Sequence, residues 1–175
     1  MALALPTMGR SAPWWLPQRI FLQAGQAFDP PSVRFAEFTG LAVARDLPLA
    51  GRLGGSVELY PLLLFNETKA DHVTRERVAA SALSILLTFD VGGRQAPWGL
   101  RLEAGSGLFY GYRTVPAEGS RFNFYDQLGG RLVRRIASER VISLGYRYAH
   151  ISNLSLLGSS NPGLTFHTAV AAFDW

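Results

Sequence analysis

The residues best suited to chemistry lie near the C-terminus, in the run Tyr146-Arg147-Tyr148-Ala149-His150-Ile151-Ser152-Asn153. On an extended strand, residues two apart project from the same face, so His150 and Ser152 stand one pleat from each other. A neutral imidazole in that position can take the proton of the serine hydroxyl and turn it into a nucleophile for an acyl carbon. Ile142, Leu144, Tyr146 and Tyr148 share the same face. The pair therefore sits on an apolar wall, where polar groups cost free energy unless they are used. The plainer reading is a chance His-x-Ser at a strand end, with the histidine bonding only headgroups or water.

A partner for the histidine is available upstream. Ala137, Ser138 and Glu139 form a short turn between two strand-like runs. A hairpin centred on Ser138 sets Asp126 directly opposite His150 on the same face, where a catalytic histidine needs an orienting group. A shift of one residue in the turn would move Asp126 to a diagonal or to the other face. Its plainer role is that of a carboxylate at a barrel rim.

The elements that must carry these residues are strands. Four Trp, six Tyr, eleven Phe and 18 Gly, beside only 17% charged residues, favour an all-β chain over a helical one. Alternation with Gly, Pro, Asn and Asp punctuation predicts eight strands, over 19–28, 33–46, 53–66, 77–91, 99–113, 121–136, 140–153 and 165–175. Most match the roughly 9–11 residues that cross a membrane at a tilt. The expectation is one domain over 19–175, an eight-stranded antiparallel transmembrane β-barrel. Residues 1–18 are expected to form an N-terminal segment, partly ordered or the remnant of a processing region. An exported chain should carry a signal peptide, and Met1-Ala-Leu-Ala-Leu-Pro6 lacks the charged n-region of one.

The faces carry the membrane assignment. In the fifth strand Leu100, Leu102, Leu108, Tyr110 and Tyr112 alternate with Arg101, Glu103, Gly105, Gly107 and Phe109. In the fourth, Leu83, Ile85, Leu87, Phe89 and Val91 oppose Ala80, Ala82, Ser84, Thr88 and Asp90. In the third, Val57, Leu59, Leu63 and Phe65 are set against Ser56, Glu58 and Asn66. A soluble barrel points its large apolar residues inward, whereas a membrane barrel turns them to lipid. Arg101 and Glu103 suit an ion-paired interior, and Tyr110, Tyr112 and Trp175 suit interfacial girdles. No apolar run reaches the roughly 18 residues of a spanning helix. The absence of cysteine removes disulfides and thiolate metal sites. A net charge of +4, scattered along the chain, argues against a nucleic-acid partner and suits anionic lipid headgroups. No Asp/Glu cluster has the spacing of a calcium loop.

The stretch Gly145 to Asn153, followed by Asn161-Pro162-Gly163-Leu164, resembles the C-terminal signature of the outer-membrane lipid A 3-O-deacylases, the PagL-type family. Gly119-Ser-Arg-Phe-Asn123-Phe-Tyr-Asp126-Gln127, with Gly129 and Gly130, resembles the strand before it. The likeness covers roughly 119–175. It implies a bacterial outer-membrane barrel, monomeric or homodimeric, whose site lies on the lipid-facing wall and acts on lipid A or lipopolysaccharide with neither metal nor organic cofactor. It assigns His150 as general base and Ser152 as nucleophile. Asn153, Asn161 and Gly163, with nearby backbone N–H groups, become the oxyanion and substrate-binding candidates. One position departs from the pattern: the family's acidic residue two places beyond the Asn-x-Gly glycine is Thr165 here. Thr165 can hydrogen bond an imidazole but not stabilise an imidazolium by charge. Either Asp126 fills the role, or the site is a weaker dyad, or it is inactive. His167 lines the same pocket or is an interfacial histidine. The rival readings are a structural or adhesive barrel and a soluble lipocalin-like carrier.

Overall fold

The structure is a computed structural model that describes residues 13, 16–29, 34–68, 75–92, 96–116, 119–137, 140–154, 156 and 163–175. Eight strands follow in order: β1 Arg19–Asp29, β2 Arg34–Pro48, β3 Leu53–Thr68, β4 Arg75–Val91, β5 Trp98–Gly111, β6 Phe122–Arg135, β7 Val141–Ser152 and β8 Leu164–Asp174. Each pairs antiparallel with its sequence neighbours, and β8 closes on β1. The expected all-β barrel is therefore the observed one. Closure leaves no unpaired sheet edge, which is what a strand-built membrane crossing requires. Most of the N-terminal segment expected over 1–18 lies outside the described residues; Arg45 bonds the carbonyls of Pro13 and Leu16 within it. Among the described residues no helix is long and apolar enough to cross a membrane.

The third strand corrects the sequence expectation. Its register shifts by one residue against β2, between Leu41 and Val43, and against β4, between Tyr60 and Leu63. β3 therefore carries a bulge around Pro61, a residue with no N–H to offer a ladder. The bulge reverses the alternation. Leu59 points outward as expected, but Leu63 and Phe65 point inward and are buried, while Leu62 and Leu64 take the outer face.

Elsewhere the two faces sort as the sequence predicts. Leu22, Ile85, Leu87, Leu102, Leu128 and Leu144 lie on the outer wall and are largely exposed. At the end where β1 begins and β8 finishes (the terminal end), Trp98, Phe173 and Trp175 face outward; at the opposite, loop-bearing end Tyr110, Tyr112, Tyr146 and Tyr148 do. Arg134 stacks over Trp98 at 5.0 Å. An apolar wall with aromatic belts around a charged interior suits a lipid surround and leaves a lipocalin-like carrier without its apolar cavity.

The interior is filled in two layers. Toward the loop end Phe38, Phe65, Phe109 and Phe166 pack together, with centroid separations such as 4.7 Å for Phe38–Phe166. Below them two carboxylates, Glu58 and Glu103, meet two guanidiniums, Arg131 and Arg147. Arg147 donates to both Glu58 oxygens at 2.7 and 2.8 Å and also to Glu103; Arg131 donates to Glu103 at 3.1 Å. Gly129 stands opposite Arg147 and Gly145 opposite Arg131, and a Cβ at either glycine would collide with the arginine stem. At the terminal end Arg19 pairs with Asp46 and Asp174, and Arg101 with Asp46 and Asp90. Arg101 and Glu103 are thus both internal, but each pairs across strands rather than with the other.

Glu58, Glu103, Arg131 and Arg147 are almost wholly removed from water, so deleting one member strands its partners. Glu103→Ala should lower stability by about 3–5 kcal/mol, since Arg131 and Arg147 both lose a counter-ion. Urea-induced unfolding in detergent micelles, followed by the gel shift of the folded barrel, reads this directly. An unchanged midpoint would show that the cluster contributes nothing net.

Candidate active site on the outer wall

β6, β7 and β8 bring the candidate residues into one transverse row near the loop end. Asp126 pairs with His150 across β6–β7, and His150 pairs with Thr165 across β7–β8. The hairpin centre expected at Ser138 thus gives the observed register, although Ser138 and Glu139 lie outside the described residues. All three side chains are half-buried on the outward face. Ser152, one pleat toward the loop, is buried at 3% exposure and pairs with Phe124.

The histidine is held from the β8 side. His150 Nδ1 and Thr165 Oγ1 are hydrogen bonded at 2.9 Å. Asp126 stands directly across the strand but makes no hydrogen bond to the imidazole in this structure. The other edge of the ring lies against Gly163, where an added Cβ would come within 3.1 Å of His150 Cε1 and 3.5 Å of Nε2. Gly163 also has φ of +32°, in the left-handed region that favours glycine. Only glycine lets the chain enter β8 this close to the imidazole. Ser152 Oγ is shielded from solvent and has no hydrogen-bond partner among the described residues. The hydroxyls of Ser56 and Thr168 are also buried without a partner, so what distinguishes Ser152 is its place one pleat from His150 on the outward face.

Just past the serine the chain leaves the wall. Asn153 is buried, and its carbonyl accepts the N–H of Leu156 at 2.9 Å, in a turn where Leu154 has φ of +52°. Of the other oxyanion candidates, Gly163 lies beside the ring and Asn161 falls outside the described residues. One pleat below Thr165, His167 Nδ1 is hydrogen bonded to the Tyr146 hydroxyl, and its ring packs edge-on against Tyr148. This Tyr146–His167 contact was not legible in the sequence, because it depends on the β7–β8 register.

A closed eight-stranded antiparallel barrel with an apolar outer wall, aromatic belts and a charged interior is the architecture of a small outer-membrane barrel. The family model for "Lipid A 3-O-deacylase (PagL)" matches residues 40–174, and the chain belongs to that family of outer-membrane lipid A deacylases. Among solved structures, the outer-membrane enzyme PagL is 18% identical over 87% of this chain and 97% of its own, with a TM-score of 0.63. Neisserial surface protein A is 11% identical over 89% of this chain and 94% of its own, with a TM-score of 0.56. At these identities both likenesses concern the fold. No curated protein matches the chain.

Proposed function

We propose that the protein is a serine esterase that removes an ester-linked 3-hydroxyacyl chain from lipid A. The observation that carries this reading is the outward row itself: an imidazole anchored at Nδ1, beside an orphaned serine hydroxyl, at the loop end of a lipid-facing wall. In outer-membrane barrels the longer loops lie on the extracellular side, so this end meets the leaflet that holds lipid A. An ester there can meet the polar row while its acyl chain stays in hydrocarbon.

The mechanism follows from the anchoring. In the tautomer that carries its proton on Nδ1, the ring donates to Thr165 Oγ1 and keeps the Nε2 lone pair as base. Nε2 takes the Ser152 proton as Oγ attacks the ester carbonyl. Collapse of the tetrahedral intermediate breaks the bond to the sugar oxygen, which leaves with the proton from His150. Water, deprotonated by the same imidazole, then releases the hydroxy acid and restores Ser152. Asn153 and Asn161, with backbone N–H groups near Gly163, are the donors for the oxyanion, whose stabilisation usually lowers the barrier of such reactions more than any other single effect. His150 and Ser152 are not hydrogen bonded in the free protein, as is common before substrate brings catalytic groups together. Thr165 orients the ring without a carboxylate's charge, and Asp126 is its cross-strand neighbour on β6.

An alkyl fluorophosphonate tests the nucleophile without lipid A. Attack by Oγ forms a serine–phosphorus bond and expels fluoride. Intact-mass analysis should show one adduct, mapped to Ser152 and lost in His150→Ala. An adduct elsewhere, or none on a folded barrel, would remove Ser152 from the mechanism.

A further inference from the structure

Beside the candidate catalytic row the outer wall is not smooth. The strand register aligns three transverse rows running from β7 toward β4. The first is polar: Tyr148, His167, Gln26, Glu37, Asn66 and Arg77 are successive cross-strand neighbours, each within a few residues of its strand's loop end. The second is mostly small: Tyr146, Ala169, Ala24, Thr39, Leu64 and Ala79. The third is aliphatic: Leu144, Ala171, Leu22, Leu41 and Leu62. A stripe of small residues between long ones leaves a furrow. Its upper part is a space of about 860 Å³ beneath the polar row, and its lower part, about 630 Å³, continues among the leucines.

We propose that this furrow over β8, β1 and β2 binds an acyl chain that remains on lipid A, with the sugar bearing that chain against His167, Gln26 and Glu37. The site would hold the glycolipid so that its scissile ester lies at His150 and Ser152; the inference rests on the esterase reading. Three features select this occupant. His167 and Tyr148 lie one pleat below Thr165 and His150, so the furrow is continuous with the catalytic row. Among the described residues, Gln26, Glu37, Asn66 and Arg77 make no side-chain hydrogen bond or ion pair. Amide, carboxylate and imidazole groups together match the hydroxyl and acyl-amide groups of an aminosugar, and Arg77 at the far end of the row suits an anionic group on the same glycolipid. From the polar row to the leucine row the floor runs four residues, roughly 13 Å along the strand, enough to seat much of an acyl chain.

The test fills the furrow with a residue the neighbouring wall already uses. Ala24→Leu with Ala169→Leu should leave a folded barrel. Its KM for lipid A in mixed micelles should rise by about tenfold with kcat little changed, the mark of lost ground-state binding. Hydrolysis of 4-nitrophenyl butyrate, which has no second chain, should be unaffected. Native mass spectrometry of the detergent-released proteins supplies a readout independent of turnover: the parent should retain lipid A in preference to phosphatidylethanolamine, and the double variant should not. An unchanged KM with lipid A still retained would overturn the proposal. So would equal retention of phosphatidylethanolamine by the parent, or a dimeric parent made monomeric by the substitutions. If the parent hydrolyses neither ester, the esterase reading fails, while selective lipid A retention lost in the variant still supports the furrow.

Discussion

Ser152→Ala should lower kcat for ester hydrolysis by about 10³-fold or more, since removing the nucleophile of a triad leaves only oxyanion stabilisation and binding. KM should hardly change, because the Oγ makes no ground-state hydrogen bond that the substitution would remove. The barrel should stay folded: no described partner is orphaned, and the removed hydroxyl was itself unsatisfied, so stability should hold or rise slightly. Rates on a chromogenic ester and on lipid A, with the heat-modifiable gel shift as folding control, provide the check. Undiminished turnover would mean that the outward serine is incidental.

Thr165→Glu should act in the opposite direction. In this chain the group at His150 Nδ1 is a neutral hydroxyl at 2.9 Å, which fixes the ring but gives no charge to the imidazolium formed in the transition state. A carboxylate there stabilises that cation, and by analogy with loss of the acid from a complete triad the gain should be about 10²-fold or more in kcat. Thr165→Val, which keeps the shape and deletes the bond, should lower kcat. If the glutamate gives no gain and Asp126→Asn abolishes turnover, then Asp126 already serves as the acid from the β6 side. The two variants together decide between a triad completed from β6 and a dyad steadied by threonine.

The distinction matters because the sequence made parts of this site legible and left others hidden. Alternation exposed the strands and placed His150 and Ser152 on one face, since a period of two is fixed by backbone geometry. The length of the β6–β7 turn gave the pairing of Asp126 with His150, which the observed register carries. What alternation cannot supply is any feature that depends on an extra residue or on strands distant in sequence. The bulge at Pro61 reversed the inward and outward sets beyond it, which is why Leu63 and Phe65 were expected on the wrong face. Proline within a long strand was the available signal. The interior pairing of Arg147 with Glu58 and Glu103, from β3 and β5, required the closed barrel. The furrow needed the registers of five strand pairs at once, so its polar residues read singly as ordinary surface.

The most direct test of the central claim is mass spectrometry of lipid A after incubation with the detergent-purified protein and, in parallel, with its Ser152→Ala variant. Loss of the mass of one 3-hydroxyacyl chain with the parent alone is the predicted result. Unchanged lipid A in the presence of a demonstrably folded parent barrel would contradict it.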